Sequence, residues 1–192
     1  LFVENTGSRN FKIKDFSRIK NRVKNFFKSK RGFRIFNKNL IIFSPLFIPF
    51  HYSFVIQKIN NFLISNSIKN WAKDFNFYNT IVINFVPNPI TLSATKNLNP
   101  SIKVYYMADD MSSNDKKRID IERKVMNISD IIFFTSNNLK KKLINLEKAQ
   151  FLPNGVNLEI FNKNFKRKNN IKKKTVNIGY VGAIRDIINE NL

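Results

Sequence analysis

The sequence lacks cysteine and contains a single histidine, His51, among its 192 residues. Without cysteine the chain can form no disulfide, no cysteine-ligated zinc site and no thiol nucleophile. One histidine cannot supply a histidine-rich metal centre. We expect no metal and no cofactor. His51 stands between Phe50 and Tyr52, a setting more typical of a packed or solvated side chain than of a catalytic base.

Long apolar runs are also missing. The most apolar stretch, residues 40–50, contains two prolines and is about half as long as the roughly 20 residues that span a bilayer. Residues 1–4 lack the basic start of a signal peptide, so we expect a cytoplasmic protein. The chain starts without methionine, as if within a strand, and we expect it to be an internal fragment of a longer protein.

Acidic side chains are scarce beside basic ones. The chain has 34 Lys and Arg against 13 Asp and Glu, a net charge of +21. Such a charge favours anionic partners: nucleic acid, phosphate-rich substrates or an anionic membrane surface. The abundance of Asn, Lys, Ile and Phe is equally typical of an AT-rich genome, in which surface positions drift toward Lys and Asn. Both explanations of the charge stay open.

Strand patterns and helix patterns alternate along the chain. This alternation predicts an α/β fold, a Rossmann-like parallel sheet flanked by helices with right-handed crossovers. The helix patterns cover residues 15–28, 53–75, 116–128 and 137–146, and the strand patterns cover residues 33–36, 40–43, 80–86, 102–107, 130–136 and 149–152.

The first helix pattern, residues 15–28, is amphipathic and basic. Its apolar stripe comprises Phe16, Ile19, Val23, Phe26 and Phe27. One interpretation is a surface helix that packs this stripe on the sheet. The other is a helix lying on an anionic membrane, because aromatic stripes flanked by Lys and Arg are typical of such helices.

Polar residues follow two of the predicted strands at their carboxyl ends, where open α/β sheets bind ligands. Asp109 and Asp110 follow residues 102–107, and adjacent carboxylates can hold a substrate hydroxyl or accept its proton. Asp110 can equally be the N-cap of the next helix. Ser136 follows the next strand; it is a candidate for substrate contact, although N-cap preference favours a capping role.

A strand, a turn and a short helix are predicted in residues 151–161. Pro153 ends the strand, because it has no N–H for the ladder. Asn154 and Gly155 form a turn signal, in which glycine can adopt a positive φ, and we expect a hinge there. Asn157 can cap the helix that follows. Residues 162–174 have the composition of a basic linker, and residues 175–181 read as a new strand followed by Gly182 and Ala183.

These motifs together resemble glycosyltransferases of the GT-B fold. The resemblance rests on residues 153–157, on residues 178–183 and on residues 3–7, and it is closest to group 1, family 4-like enzymes of bacterial polysaccharide synthesis. It implies an acceptor-side Rossmann-like domain in residues 1–161, a linker in 162–174 and the start of the nucleotide-sugar-binding domain in 175–192. The parent enzyme would transfer a hexose from a nucleotide sugar to a glycan or lipid-linked acceptor without a metal, and the fragment alone would be inactive.

The resemblance also implies residue roles. Asn5, Thr6 and Gly7 would bind the acceptor together with Ser136, and Gly182 and Ala183 would lie under the donor diphosphate. Lipid-linked acceptors imply peripheral contact with the inner face of an anionic membrane. The family often shows Tyr-Asp-x-x-Asp-Asp at positions 105–110, but Tyr106 replaces the first Asp here, so this chain lacks that carboxylate.

Two other functions compete with this interpretation. A basic Rossmann-like binding module for nucleic acid or another anionic polymer would bind with a steep salt dependence. Nucleic acid is the less favoured partner, because the basic linker has only Phe165 for base stacking. A different Rossmann enzyme, such as a nucleotide-sugar epimerase, is disfavoured by the absence of a G-x-G-x-x-G motif.

Overall fold

The structure is a computed structural model that describes residues 1–4, 20, 23–24, 26–27, 29, 31–48, 53–110 and 116–161. The chain divides into two compact units, Leu1–Asn154 and Gly155–Leu192. The first unit is mixed α/β and contains both sheets of the described residues.

The elements are numbered here in chain order within the described residues. Lys20, Val23, Lys24, Phe26 and Phe27 have helical backbone, and the rest of the helix predicted over residues 15–28 lies outside the described residues. The strands are β1 Phe2–Val3, β2 Phe33–Asn37, β3 Leu40–Phe43, β4 Ile81–Asn84, β5 Ile102–Met107, β6 Ile131–Phe134 and β7 Ala149–Phe151; the helices are α1 Phe54–Asp74, α2 Pro89–Leu98, α3 Lys116–Ile128, α4 Asn137–Lys140 and, in the second unit, α5 Leu158–Phe161.

The larger sheet has four strands in the order β4-β5-β6-β7, and every neighbouring pair is parallel. Tyr105 of β5 lies opposite Ile132 of β6, which fixes the register of the two central strands. Parallel neighbours need a crossover of about a dozen residues, and α2, α3 and α4 lie in the three connections. The predicted parallel sheet flanked by helices is confirmed for this part of the chain.

The smaller sheet departs from the predicted parallel arrangement. Its order is β1-β3-β2, with β1 parallel to β3 but β2 antiparallel to β3. Only Lys38 and Asn39 connect β2 to β3, which is far too short for a parallel crossover. The Asn39 N–H donates to Asn37 Oδ1 at 2.9 Å and stabilises this tight turn.

Two helix predictions need correction. The predicted helix over residues 137–146 ends at Lys140, and at Asn145 a side-chain turn replaces it, with Oδ1 accepting from the Glu147 N–H at 3.0 Å. The sequence reading also missed α2. The sequence signal for the start of α2 was Asn88 followed by Pro89, an N-cap residue before a proline at the first helical position. In the structure, Asn88 Oδ1 accepts from the N–H groups of Ile90 and Thr91 at 2.9 Å each.

One face of β5 and β6 forms the main core. These strands contribute their buried alternate residues, and the helices α2, α3 and α4 cover them. Burying a large apolar side chain contributes about 1.5–3 kcal/mol, so this layer dominates the stability of the unit. The core comprises Leu92, Tyr105, Met107, Val125, Met126, Ile132, Phe134 and Leu139.

A buried polar pair crosses this core. Tyr105 of β5 is fully buried, and its hydroxyl donates to Glu122 Oε1 of α3 at 2.6 Å. Burial, and then the hydrogen bond and negative charge of Glu122, raise the pKa of Tyr105 far above its ordinary value of 10.0. The hydroxyl therefore keeps its proton and satisfies a carboxylate that is itself buried.

A second buried polar contact fixes the loop after β3. Asn60 of α1 is fully buried; its Oδ1 accepts from the Ile48 N–H at 2.7 Å, and its Nδ2 donates to the Ile48 carbonyl at 2.8 Å. One side chain thus satisfies both backbone groups of Ile48. The loop and helix α1 are held in one arrangement, beside a smaller core of Phe43, Ile64 and Ile90.

Tyr105→Phe should lower the free energy of unfolding by about 1–3 kcal/mol, because Glu122 then stays buried without its hydrogen bond. Urea unfolding at neutral pH measures this. Tyr78→Phe is the matched control: Tyr78 is 78% exposed and should change the stability by less than about 0.5 kcal/mol. A Tyr105→Phe variant as stable as the wild type would contradict a stabilising role for the pair.

Tyr105→Phe should also change how the free energy of unfolding depends on pH. The Tyr105 pKa is raised on folding, so the unfolded chain loses this proton first. The contribution of Tyr105 is fully present below pH 10.0, and it declines as the pH rises above that value. Tyr105→Phe should therefore show a shallower loss of stability above pH 10.0 than the wild type.

Candidate functional site

The carboxyl ends of the four parallel strands meet at one edge of the larger sheet, called here the carboxyl edge. The residues that follow the strands along it are 85–88, 108–110, 135–136 and 152–154. Parallel strands place these loops side by side, which is why open α/β sheets bind ligands there. Asp109, Asp110 and Ser136 all lie at this edge, as the sequence predicted.

Hydrogen bonds tie the loop after β5 to the loop after β6. Thr135 Oγ1 donates to the Ala108 carbonyl at 2.8 Å, and the Thr135 N–H donates to the Met107 carbonyl at 3.3 Å. The Ala108 N–H donates to the Tyr106 carbonyl at 3.1 Å. The backbone is therefore anchored immediately before Asp109.

The two adjacent aspartates have different environments. Asp110 forms an ion pair with Lys142 through Oδ2, at a half-exposed position. Asp109 is exposed and has no hydrogen bond or ion pair with another side chain in the described residues. Asp109 is thus the carboxylate that is available to a ligand. The capping interpretation of Asp110 stays a prediction, because residues 111–115, which separate it from α3, lie outside the described residues.

Ser136 is the N-cap of α4. Its Oγ accepts from the Leu139 N–H at 3.4 Å, and its backbone is extended, as an N-cap requires. The favoured capping interpretation is confirmed. A hydroxyl that accepts a cap bond keeps its own proton, so the exposed Ser136 can still donate to a ligand at the carboxyl edge.

Tyr106 takes a role that the sequence did not predict. Its hydroxyl donates to Asn154 Oδ1 at 3.2 Å, and its ring lies 5.2 Å from the Phe85 ring. The residue that replaces the expected aspartate therefore connects the ends of β4, β5 and β7. The sequence signal for this role was the Tyr-Tyr pair at positions 105 and 106. Adjacent residues of a strand face opposite sides of the sheet, so Tyr106 faces away from the core that holds Tyr105.

The two predicted hinge residues, Asn154 and Gly155, fall at the boundary between the two units. Asn154 ends the first unit and is bound by Tyr106, whereas Gly155 begins the second unit. A β-carbon at Gly155 would meet no atom within 4 Å, and its φ is not in the left-handed region that favours glycine. The cap predicted after it is confirmed, since Asn157 Oδ1 accepts from the Glu159 N–H at 3.0 Å.

Glu4 was not singled out from the sequence as a site residue. It follows β1, its Oε2 accepts from Ser44 Oγ at 2.7 Å, and its Oε1 accepts from Arg34 at 2.9 Å. Its N–H donates to the Phe43 carbonyl at 2.9 Å. Both carboxylate oxygens are occupied, so Glu4 stabilises the smaller sheet rather than offering a free acceptor. Its place directly after a strand was the available signal.

The remaining predicted site residues lie outside the described residues: Asn5, Thr6 and Gly7 of the first loop, and Gly182 and Ala183 of the predicted donor loop. In the described ranges, no group of three or more His, Cys, Asp and Glu side chains could hold a metal ion. No helix in the part of the chain that the structure describes is long and apolar enough to cross a membrane.

The chain matches no protein-family model, no curated protein and no solved structure. Interpretation of the carboxyl edge therefore depends on its own chemistry. The carboxyl edge presents the free carboxylate of Asp109, the hydroxyl of Ser136 and the side-chain amide of Asn154. These groups suit a ligand rich in hydroxyl groups, because each can bind one hydroxyl. The carboxylate can also take a proton from a bound hydroxyl.

The ion pair of Asp110 and Lys142 should give a coupling energy of about 0.2–1 kcal/mol in a double-mutant cycle, since both side chains are partly exposed. The cycle uses Asp110→Asn and Lys142→Met, measured by urea unfolding. A matched cycle with Asp109→Asn should give a coupling near zero. Equal coupling in both cycles would show that the aspartates are not distinct.

Proposed function

We propose that this chain is the acceptor-side part of a glycosyltransferase of the GT-B type, which transfers a sugar from a nucleotide sugar to a glycan or lipid-linked acceptor. The observation that carries the proposal is the free carboxylate of Asp109 at the carboxyl edge. The all-parallel sheet supports it, because ligands bind at this edge in open α/β sheets.

In the proposed reaction, an acceptor hydroxyl donates a hydrogen bond to Asp109. The bond between the sugar's anomeric carbon and the diphosphate oxygen breaks, and its electron pair leaves with the diphosphate. The acceptor oxygen forms the new bond to that carbon, and its proton passes to the Asp109 carboxylate. Stabilisation of the diphosphate is assigned by the resemblance to the loop of Gly182 and Ala183.

The surroundings of Asp109 support a role as a proton acceptor rather than a structural one. Thr135 fixes the backbone through the Ala108 carbonyl, and Lys142 pairs with the neighbouring Asp110. Because Lys142 occupies Asp110, this proposal assigns the proton transfer to Asp109 and no step to Asp110.

Asp109→Asn in the complete enzyme should lower kcat about 10²–10⁴-fold with the fold intact, because an amide cannot accept the proton. Release of nucleoside diphosphate measures turnover, and circular dichroism checks the fold. Asp110→Asn is the matched control, and its effect should be at least tenfold smaller. Full activity of the Asp109→Asn enzyme would rule out this residue as the base.

Residues 1–192 alone should bind nucleotide sugars weakly, because only Gly182 and its neighbours represent the proposed donor site. Isothermal titration with UDP-glucose or GDP-mannose should give a dissociation constant above about 1 mM, an affinity weaker than about −4 kcal/mol. A micromolar constant would overturn the assignment of this chain to the acceptor side.

A further inference from the structure

The acidic residues are unevenly distributed along the chain. Residues 16–73 contain 12 Lys and Arg but none of the 13 Asp and Glu, and an even spread would place about four acidic residues there. Residues 75–108 contain none either, so Asp74 is the single acidic residue between Asp15 and Asp109. Compositional drift toward Lys acts on surface positions throughout a chain, so it does not explain the loss of acidic residues from one half. Residues 16–73, called here the acid-free segment, contain all of α1 except Asp74.

Helix α1 buries one side and exposes another that is also apolar. Asn60 and Ile64 lie on the buried side. On the exposed side, Val55, Ile59 and Phe62 fall within about 60° of one another at 100° per residue, and Val55 and Phe62 are 64% and 66% exposed. Exposed apolar neighbours complete this surface, called here the α1 patch: Phe54, Val55, Ile59, Phe62 and Leu63.

Cations border the α1 patch. Lys58 Nζ lies 4.4 Å from the centre of the Phe54 ring, over its face. Lys69 and Lys73 continue the exposed side of the helix toward its end, where the apolar residues give way to polar ones. The helix therefore presents an apolar first half and a basic second half on one side. Contiguous exposed apolar surface of this kind marks an interaction site.

The chemistry of the patch selects one partner class. Phe54 and Phe62 could stack on bases, but the other three side chains of the patch, Val55, Ile59 and Leu63, are aliphatic and offer nucleic acid neither a hydrogen bond nor a stacking surface. A second copy of the chain would bring two acid-free segments together, and their like charges would oppose association. An anionic bilayer satisfies both features, because its headgroups attract the cations and its acyl boundary takes up the apolar side chains.

We propose that the α1 patch inserts into the surface of an anionic lipid membrane, with Lys58, Lys69 and Lys73 facing the headgroups. The Asn60–Ile48 hydrogen bonds hold α1 against its neighbours, so the patch is presented in a fixed orientation. The resemblance to GT-B enzymes implies membrane contact only through lipid-linked acceptors; this inference names the surface that makes it, and its test does not depend on transferase activity.

Co-sedimentation of the 192-residue chain with vesicles tests the proposal. Vesicles of phosphatidylcholine with about 30% phosphatidylserine should bind the chain, and pure phosphatidylcholine should bind it at least tenfold more weakly. Replacing both Val55 and Phe62 by serine should weaken binding to the anionic vesicles at least tenfold. The variant loses the apolar area that inserts into the membrane, while its charge is unchanged.

The matched control replaces Ile144 and Leu146 by serine, since these side chains are similarly exposed and lie outside the acid-free segment. It should bind anionic vesicles like the wild type, and both double variants should keep the wild-type melting temperature.

Three results would overturn the proposal. One is equal vesicle binding by the wild type and the V55S/F62S variant. Another is a dimer, seen by light scattering, that this variant dissociates while vesicles fail to bind. The third is binding to single-stranded RNA in place of vesicles.

Discussion

Burial of one face of β5 and β6 against α3 is the constraint on which the rest of the structure depends. It places Tyr105 and Met107 in the core, and a buried carboxylate, Glu122, is tolerated there only because the Tyr105 hydroxyl binds it. Strand alternation then turns Tyr106 to the other side of the sheet. The parallel pairing of β5 with both neighbours brings the three following loops to the carboxyl edge.

The candidate site follows from this arrangement with few added contacts. Thr135 links two of the loops through the Ala108 carbonyl, and Tyr106 links β5 to Asn154. Lys142 engages Asp110, so the neighbouring Asp109 is the one left free. Asp109 and Asp110 are adjacent and of the same type, but they have separate roles because the fold brings Lys142 to Asp110.

The two proposals concern different surfaces and different chemistry. The carboxyl edge offers polar side chains that match hydroxyl groups, and its acidic residues lie outside the acid-free segment. The α1 patch offers apolar side chains in a segment that carries only positive charge. A chain that keeps acidic residues out of one segment can bind a polar substrate at one surface and an anionic layer at another.

The sequence by itself determined the parallel βα alternation after residue 80, because apolar runs such as residues 102–107 and caps such as Ser136 and Asn157 act locally. It also placed Asp109 and Asp110 at a strand end. Only the tertiary structure decided that Tyr106 binds Asn154 and that Lys142 selects Asp110 rather than Asp109. These outcomes depend on which distant groups meet, and local spacing carries no record of that.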